Sequence, residues 1–293
     1  MVRADLIHPL ASGNKFYKLK PAIEQAKHHK INTLLSFGGA YSNHIHALAL
    51  SAKAQGMASI GIIRGEASYA KNPTLTDARE AGMQLQFVDR LTYKRRTDTP
   101  YLKQLQQRYP AALIIPEGGS NQNAVKGCMK LMAEVNELVD ANIVTVAAGT
   151  GATAAGLACG TTKNQSVIAY AVLKDETLNK RIKKFIDIEN KSVKVNVEPA
   201  DFGGYAKLDE QVLSFILEWL DKTGILLDPI YTGKMCMRLM QQIDAGMFKQ
   251  GTTIAMLHSG GLQGWRGMQQ RVIRLAGPKS WNTIQSYLCR DIA

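Results

Sequence analysis

Residues 143–153 read Ile-Val-Thr-Val-Ala-Ala-Gly-Thr-Gly-Ala-Thr. The first five are mostly β-branched and predict a buried strand. The glycine-rich turn that follows predicts the start of a helix, which continues through Ala154 and Leu157. A strand that runs through glycines into a helix is the basic unit of a parallel α/β sheet.

The same succession occurs at three other points in the chain. Short apolar segments run into Gly38-Gly39, Gly118-Gly119 and Gly260-Gly261, and helical patterns lie between them. This alternation predicts an α/β fold with a mainly parallel sheet. One such turn is typical of any strand-to-helix connection. Because ligands in these folds bind beyond the carboxyl ends of the strands, four of them together indicate one shared site.

The composition is that of an ordinary globular protein, with 293 residues, of which 45% are hydrophobic and 20% charged. No segment approaches the roughly 20 apolar residues of a membrane-spanning helix. Residues 1–5 lack the pattern of a secretory signal, so we expect a cytoplasmic protein. The cysteines, Cys128, Cys159, Cys236 and Cys289, are spaced too widely for a zinc site.

The net charge of +12 is typical of a different class of function, the binding of nucleotides or nucleic acids. The basic residues are scattered, with small clusters at 94–96 and 180–184, which favours a solvated basic surface. The turn at Gly149 matches the dinucleotide fingerprint Gly-x-Gly-x-x-Ala, and Asp175 lies near the expected ribose-binding acid. This match is in mid-chain and leaves the other polar turns without a role, but a binder that uses the glycine loop alone remains an alternative.

The glycine turns are accompanied by the chemistry needed to hold an aldehyde cofactor that carries a phosphate. At residues 149–153, backbone N–H groups, threonine hydroxyls and the positive end of a helix suit one phosphate. Lys15, which we expect just before the first helix, can form a Schiff base if burial or a nearby cation lowers its pKa. Lys18, one helical turn further on, can supply that cation or bind the phosphate.

Polar residues also follow the strand that ends at Gly38-Gly39. Ser42 and Asn43 can cap the next helix or present a hydroxyl and an amide to the sheet edge. His44 and His46 would face different ways on that helix, so we expect no metal site. A rigid Asp-Pro turn before Tyr231 introduces a further helix.

Five motifs occur in the chain, namely Gly-Asn-Lys-x-x-Lys-Leu at 13–19, Gly-Gly-x-x-Ser-Asn-His at 38–44, Thr-Gly-x-Thr at 150–153, Asp-Pro-x-Tyr-x-Gly-Lys at 228–234 and His-x-Gly-Gly at 258–261. In this order, which spans nearly the whole chain, they resemble the pyridoxal-phosphate enzymes grouped as 1-aminocyclopropane-1-carboxylate deaminase and D-cysteine desulfhydrase. The resemblance implies the tryptophan-synthase-β-like fold (fold type II), an α/β fold of two open, twisted, mainly parallel sheets flanked by helices. It implies a larger cofactor-binding domain, residues 1–15 and 122–293, and a smaller inserted α/β domain, residues 16–121.

The resemblance also assigns roles to individual residues. Lys15 matches the lysine that carries pyridoxal 5'-phosphate in a Schiff base, and Asn43 the asparagine that bonds the cofactor's ring hydroxyl. The other implied positions are Lys18, Gly149, Thr150, Gly151, Ala152 and Thr153 at the phosphate, Thr232 at the ring nitrogen, Ser42, Tyr205 and Tyr231 in catalysis, and Ser42, His44 and Ser259 at the substrate.

Two positions separate the activities within this group. In the deaminase, a glutamate faces the cofactor's ring nitrogen and a leucine follows the last histidine; here Thr232 and Ser259 stand there, as in the desulfhydrases. His44 also stands where the deaminase has glutamine. A carboxylate keeps the ring nitrogen protonated and makes a stronger electron sink than a hydroxyl does. The resemblance thus implies α,β-elimination from a small D-amino acid, D-cysteine above all, with the deaminase reaction as the alternative. It implies a homodimer, and neither a nucleic acid nor a membrane as partner.

Overall fold

The computed structural model describes residues 1–7, 13–193, 195–204 and 206–290. In this part, the chain forms nine strands and eleven α-helices. The strands are β1 (Val2–Arg3), β2 (Thr33–Gly39), β3 (Ala58–Arg64), β4 (Met83–Val88), β5 (Ala112–Ile114), β6 (Ile143–Ala148), β7 (Ser166–Ala171), β8 (Val195–Pro199) and β9 (Ile254–His258). The helices are α1 (Asn14–His28), α2 (Asn43–Ala54), α3 (Pro73–Glu80), α4 (Arg90–Lys94), α5 (Thr99–Arg108), α6 (Gln122–Leu138), α7 (Ala152–Cys159), α8 (Leu178–Ile188), α9 (Glu210–Thr223), α10 (Thr232–Asp244) and α11 (Gln269–Arg290).

The strands form two separate sheets. The large sheet has the order β1-β9-β6-β7-β8, and the small sheet has the order β4-β3-β2-β5. Every neighbouring pair is parallel. The predicted α/β fold with two mainly parallel sheets is therefore confirmed. The small sheet lies within residues 33–114, while the boundaries of the two domains stay a prediction.

The central strands are apolar along their length because helices cover both faces of each sheet. In β2, the five residues from Leu34 to Gly38 are buried, and in β6 the five from Val144 to Ala148 are buried. Helix α6 shows the complementary pattern, with buried residues at helical spacing. These are Ala124, Val125, Gly127, Cys128, Leu131, Met132 and Val135.

Small residues bring α1, α6 and α7 into close contact. All eight residues of α7 are buried. A Cβ added at Gly127 in α6 would lie 1.9 Å from the backbone oxygen of Tyr17 in α1. Glycine is therefore required for α1 to lie directly against α6, and this contact holds the start of α1 near the edge of the large sheet.

The prediction that Lys15 precedes the first helix is wrong. Helix α1 begins at Asn14, so Lys15 lies in its first turn. The cause is a tertiary contact, because the Asn14 N–H donates to the backbone oxygen of Ser259 at 3.3 Å. No helix in the described ranges is long and apolar enough to cross a membrane.

Candidate active site

A cleft of about 2480 Å³ lies at the carboxyl ends of strands from both sheets. Each of the four glycine turns contributes to its lining, through Gly39, Gly118, Gly149 and Gly260 among others. The shared position that the strand pattern predicted is thus present. The predicted site residues that line the cleft are Lys15, Lys18, Ser42, Asn43, His44, Gly149, Thr150, Gly151, Thr153, Tyr231 and Ser259.

Two described residues of the predicted site, Ala152 and Thr232, do not belong to that lining and are fully buried. Tyr205 lies outside the described residues.

The start of α1 is fixed against the end of β9. Gly13 has φ +70°, and a Cβ there would lie 1.9 Å from the backbone oxygen of Ser259. Only glycine permits this approach, which brings Lys15 and Ser259 to the same part of the cleft. Asn14, the first residue of the helix, is buried and donates from Nδ2 to Thr153 Oγ1 at 2.8 Å.

Two lysines of α1 share a poorly solvated environment. Lys15 donates from Nζ to Asn14 Oδ1 at 2.9 Å. Burial lowers the pKa of Lys15 from 10.5 to about 8. Burial, together with the charge of Lys15, lowers the pKa of Lys18 from 10.5 to about 7. An amine with such a pKa is partly neutral near physiological pH, as a nucleophile or a base requires.

The glycine loop leads to the N-terminus of α7 at the cleft. Helix α7 follows Gly151, which has φ +91° and provides no side-chain cap. The first N–H groups of a helix have no acceptor within it, and its dipole places positive charge there. Lys18 reaches the same place from α1, since its Nζ lies 3.4 Å from Thr150 Oγ1 and 3.0 Å from Ser120 Oγ. A phosphate fits this set of donors.

The start of α2 presents three polar side chains in different environments. Ser42 caps the helix, with its Oγ accepting from the N–H of Ile45 at 3.3 Å. Asn43 accepts at Oδ1 from Gln263 Nε2. His44 is buried, and its Nε2 lies 2.8 Å from Ser36 Oγ.

The tautomer of His44 follows from its neighbours. Ser36 Oγ donates to the backbone oxygen of Ile115 at 2.8 Å, so His44 must donate to Ser36 from Nε2. Burial, and then the charges of Lys18 and Lys15, lower the pKa of His44 well below 6.5. The ring is therefore neutral, and its buried Nδ1 is an acceptor without a hydrogen-bond partner among the described residues. At neutral pH, His44 does not offer a proton to a carboxylate.

The Asp-Pro turn places Tyr231 and Thr232. The carboxylate of Asp228 accepts from the N–H groups of Ile230, Tyr231 and Thr232 at 2.7 to 3.0 Å, which caps α10. The Tyr231 ring lies over Gly149, where a Cβ would be 3.3 Å from its Cε1. Thr232 is fully buried, and its Oγ1 has no hydrogen-bond partner in the part of the chain that the structure describes.

Several residues of the site were missed by the sequence reasoning. Ser120 bonds to Thr150 Oγ1, and Asp228 holds the turn below Tyr231. Ser120 directly follows Gly118-Gly119, and Asp228 is the first residue of the Asp-Pro-x-Tyr-x-Gly-Lys motif. Their positions next to or within a motif could have identified both residues. Gln263 lies two residues after Gly261, and no sequence pattern marks it.

The residues present fit pyridoxal phosphate. Its aldehyde needs a lysine whose amine can lose its proton, and Lys15 meets that condition. Its phosphate suits the N-terminus of α7 and Lys18. Buried polar atoms without partners are rare, and Thr232 Oγ1, directly after the cleft-lining Tyr231, has none among the described residues. It is therefore the candidate contact for a polar ring atom.

Two other interpretations find less support in the geometry. Asp175, the candidate ribose-binding acid, is in an ion pair with Arg181 at 2.5 Å. His46 bonds to Asp77 while His44 bonds to Ser36, so the two histidines face different partners. Within the described ranges, no group of three or more His, Cys, Asp and Glu side chains could hold a metal ion.

Comparison with known proteins agrees with this geometry. The family model described as pyridoxal-phosphate dependent enzyme matches residues 2–260. A Pyrococcus furiosus protein provisionally named 1-aminocyclopropane-1-carboxylate deaminase is 27% identical over 288 residues, with 89% of this chain and 84% of that protein covered. The mitochondrial bifunctional D-cysteine desulfhydrase/1-aminocyclopropane-1-carboxylate deaminase of Arabidopsis thaliana is 27% identical over 299 residues, covering 93% of this chain and 74% of that protein.

The solved structures show the same fold. The crystal structure of a homologue of 1-aminocyclopropane-1-carboxylate deaminase superposes with a TM-score of 0.82 at 24% identity, covering 93% of this chain and 87% of that one. These matches give no support to the nucleotide- or nucleic-acid-binding alternative. The chain belongs to the pyridoxal-phosphate dependent enzymes, in the group of 1-aminocyclopropane-1-carboxylate deaminases and D-cysteine desulfhydrases.

Proposed function

We propose that the protein is a lyase that catalyses α,β-elimination from a small D-amino acid, with D-cysteine as the best candidate. The products of that reaction are pyruvate, ammonia and hydrogen sulfide. The observation that carries the proposal is Thr232, a buried neutral hydroxyl without a hydrogen-bond partner among the described residues, at the position where the deaminase has a glutamate. Ser259, where the deaminase has leucine, is a second hydroxyl residue and lines the cleft.

Lys15 is the proposed attachment point of the cofactor and the base. When bound, pyridoxal phosphate supplies an electron-withdrawing ring that stabilises negative charge at the substrate's Cα. Lys15 Nζ, once free of the cofactor, takes the proton from Cα; its lowered pKa of about 8 makes a neutral amine available for this. Lys18 and the N-terminus of α7 would hold the phosphate, and Asn43 the ring oxygen.

The proposed elimination also needs an acid for the leaving group. The Cβ–S bond breaks with its electron pair on sulfur, and Tyr231, or Tyr205, gives that sulfur a proton. The C₃ enamine that remains reacts with one water to give pyruvate and ammonia, which balances the reaction. Ser42 would bind the substrate carboxylate through its hydroxyl. His44, neutral with an acceptor at Nδ1, would join it only after taking up a proton.

The deaminase reaction is the alternative, because relatives carry the names of both activities. Purified protein loaded with pyridoxal phosphate should release sulfide and pyruvate from D-cysteine faster than from L-cysteine. It should release little 2-oxobutanoate from 1-aminocyclopropane-1-carboxylate. Faster release of 2-oxobutanoate from 1-aminocyclopropane-1-carboxylate than of sulfide from D-cysteine would reject the desulfhydrase proposal and support the deaminase.

Replacement of Lys15 tests the role of the proposed base. Lys15→Ala should lower kcat/KM for elimination by about a thousand-fold or more, since both attachment and proton transfer are lost. Lys20→Ala is the matched control, because Lys20 is exposed on the same helix. Elimination activity retained by Lys15→Ala would reject the assignment.

The domain organisation and the assembly remain proposals as well. We infer a larger domain of residues 1–15 and 122–293, with residues 16–121 inserted as the smaller one, and a homodimer. Light scattering coupled to gel filtration should give twice the 32.1 kDa mass of the chain. A monomer at micromolar concentration would contradict the dimer.

A further inference from the structure

One side chain joins the turn after β9 to two helices that flank the small sheet. Gln263 lies in the short 3₁₀ turn Leu262–Gly267. Its Nε2 donates to Asn43 Oδ1, and its Oε1 accepts from Thr74 Oγ1 at 2.8 Å. Asn43 is the first residue of α2, and Thr74 lies in the first turn of α3 and is buried.

This chain of hydrogen bonds has a direction. The Thr74 hydroxyl donates to Oε1 of Gln263, so the Nε2 of Gln263 faces Asn43 and occupies its Oδ1. Asn43 Nδ2 has no hydrogen-bond partner among the described residues. It lies beside Gly261, where a Cβ would be 2.7 Å from it, and both residues line the cleft. Asn43 therefore offers the cleft a donor and keeps its acceptor turned away.

We propose that Gln263 is a positioning residue that fixes the orientation of the Asn43 amide, so that Nδ2 faces the oxygen on the cofactor ring. The proposal rests on the proposed function, since it takes Asn43 as the residue that contacts the ring. An oxygen that carries negative charge gains from a donor and is repelled by an acceptor. An asparagine amide can present either group, and Gln263 determines which one it presents.

A neighbouring residue of the same turn provides a matched control. Arg266 bonds to the carboxylate of Asp77 in α3, and His46 of α2 bonds to that carboxylate at 2.9 Å. Arg266 thus ties the same turn to the same two helices, but it does not touch Asn43. A variant at Arg266 loosens this connection and leaves the orientation of the Asn43 amide unchanged.

The test compares Gln263→Glu, Gln263→Met and Arg266→Gln with the wild-type protein, each titrated with pyridoxal phosphate. In Gln263→Glu the carboxylate still accepts from Thr74, but it has no N–H to donate to Asn43 and can only accept a hydrogen bond from that amide. The Asn43 amide then turns its Nδ2 away from the cleft and offers Oδ1 to the ring oxygen. We expect the Kd for the cofactor to rise about ten- to a hundred-fold, with a shift of the bound cofactor's visible absorbance band.

The other two variants separate positioning from general loosening. Gln263→Met keeps the length of the side chain and leaves the Asn43 amide free to rotate, so the Kd should rise only a few-fold. Arg266→Gln should lower the midpoint of thermal unfolding without a change in the absorbance band or the Kd.

An absorbance band and a Kd in Gln263→Glu equal to those of wild type would overturn this inference alone. The same spectral change in Arg266→Gln would also overturn it, because the effect would then come from the loosened turn. A wild-type protein that binds no pyridoxal phosphate would contradict the proposed function and this inference together.

Discussion

Helices α2 and α7 both begin at the cleft, and their N-termini are built in different ways. Helix α2 is capped by its own chain, because Ser42 Oγ accepts from the N–H of Ile45. Helix α7 follows Gly151, which has no side chain to offer, and Thr150 beside it bonds to Ser120. The first helix thus has a side-chain cap for one of its first N–H groups, whereas the second has no side-chain cap from the residue that precedes it.

This difference separates two tasks at one site. At α7, backbone N–H groups, the helix dipole and Lys18 provide positive charge for an anion such as a phosphate. At α2, the side chain of Ser42 caps the N–H of Ile45, and the side chains of Asn43 and His44 are the polar groups near the cleft. In the proposed site, the glycine turn binds the charged phosphate, and the serine-asparagine turn contacts individual atoms of the ligands.

The largest effect on the proposed difference between α7 and α2 is expected from a carboxylate placed at the N-terminus of α7. Thr150→Asp adds a negative charge beside the helix N-terminus and within reach of Lys18. The new carboxylate would interact with the same positive groups as the phosphate and would repel it. We expect the affinity for pyridoxal phosphate to fall on the order of a hundred-fold, because like charges at close range cost several kcal/mol. The cofactor-free protein should be at least as stable as wild type. Fluorescence titration and thermal unfolding measure both effects.

Thr150→Val serves as the control for Thr150→Asp. It removes the hydroxyl at nearly constant shape and should weaken cofactor binding only about ten-fold. Equal affinities of Thr150→Asp and Thr150→Val would mean that the phosphate does not lie at α7.

A second prediction concerns the charge of Lys18 and the pH dependence of stability. Burial lowers the pKa of Lys18 to about 7 and that of Lys15 to about 8, below the value of 10.5 in the unfolded chain. The unfolded state therefore binds more protons between pH 7 and pH 10, so the stability of the cofactor-free protein should rise with pH across that range. Urea unfolding at pH 7 and pH 9.5 measures this change.

Lys18→Met should reduce that dependence and also weaken cofactor binding by roughly ten-fold. The charge that folding must desolvate is absent in the variant, as is the cation at the phosphate. A slope of stability against pH that is the same in Lys18→Met and wild type would contradict the burial of this charge.

The smallest effect is expected at the capped helix. Ser42→Ala removes the cap of α2 and should lower the free energy of unfolding by about 1 kcal/mol. The affinity for pyridoxal phosphate should change no more than about two-fold, because Ser42 caps the helix and is not among the residues proposed to hold the cofactor. Ser42→Thr keeps a hydroxyl and should retain most of the stability. A large loss of cofactor affinity in Ser42→Ala would remove the distinction between the two helices.

The fold and the lining of the cleft could be predicted because their signals are local. Several of the strands are short apolar runs that lead into glycine, and their alternation with helical patterns predicts a mainly parallel sheet. The division into two sheets was implied by the family resemblance. Lys15 and Thr150 stand inside short motifs, so their residue types and spacing identified them. The full burial of Thr232 could not be found this way, since burial depends on the packed structure.

The remaining features depend on contacts between distant parts of the chain. Gln263 and Asn43 are separated by 220 residues, and Asn14 and Thr153 by 139. The start of α1 at Asn14 was missed for the same reason, because the backbone of Ser259 fixes it. No property of Gln263 in the sequence distinguishes it from the other glutamines.

The most direct test of the proposed active site is to identify the lysine to which the cofactor is covalently attached. The holoenzyme is reduced with borohydride, digested, and the lysine that carries the phosphopyridoxyl group is identified by mass spectrometry. We predict that Lys15 is modified and that Lys18, the next lysine on the same helix, is not. Attachment at Lys18 or at any other lysine, or a protein without attached cofactor, would contradict the proposed active site.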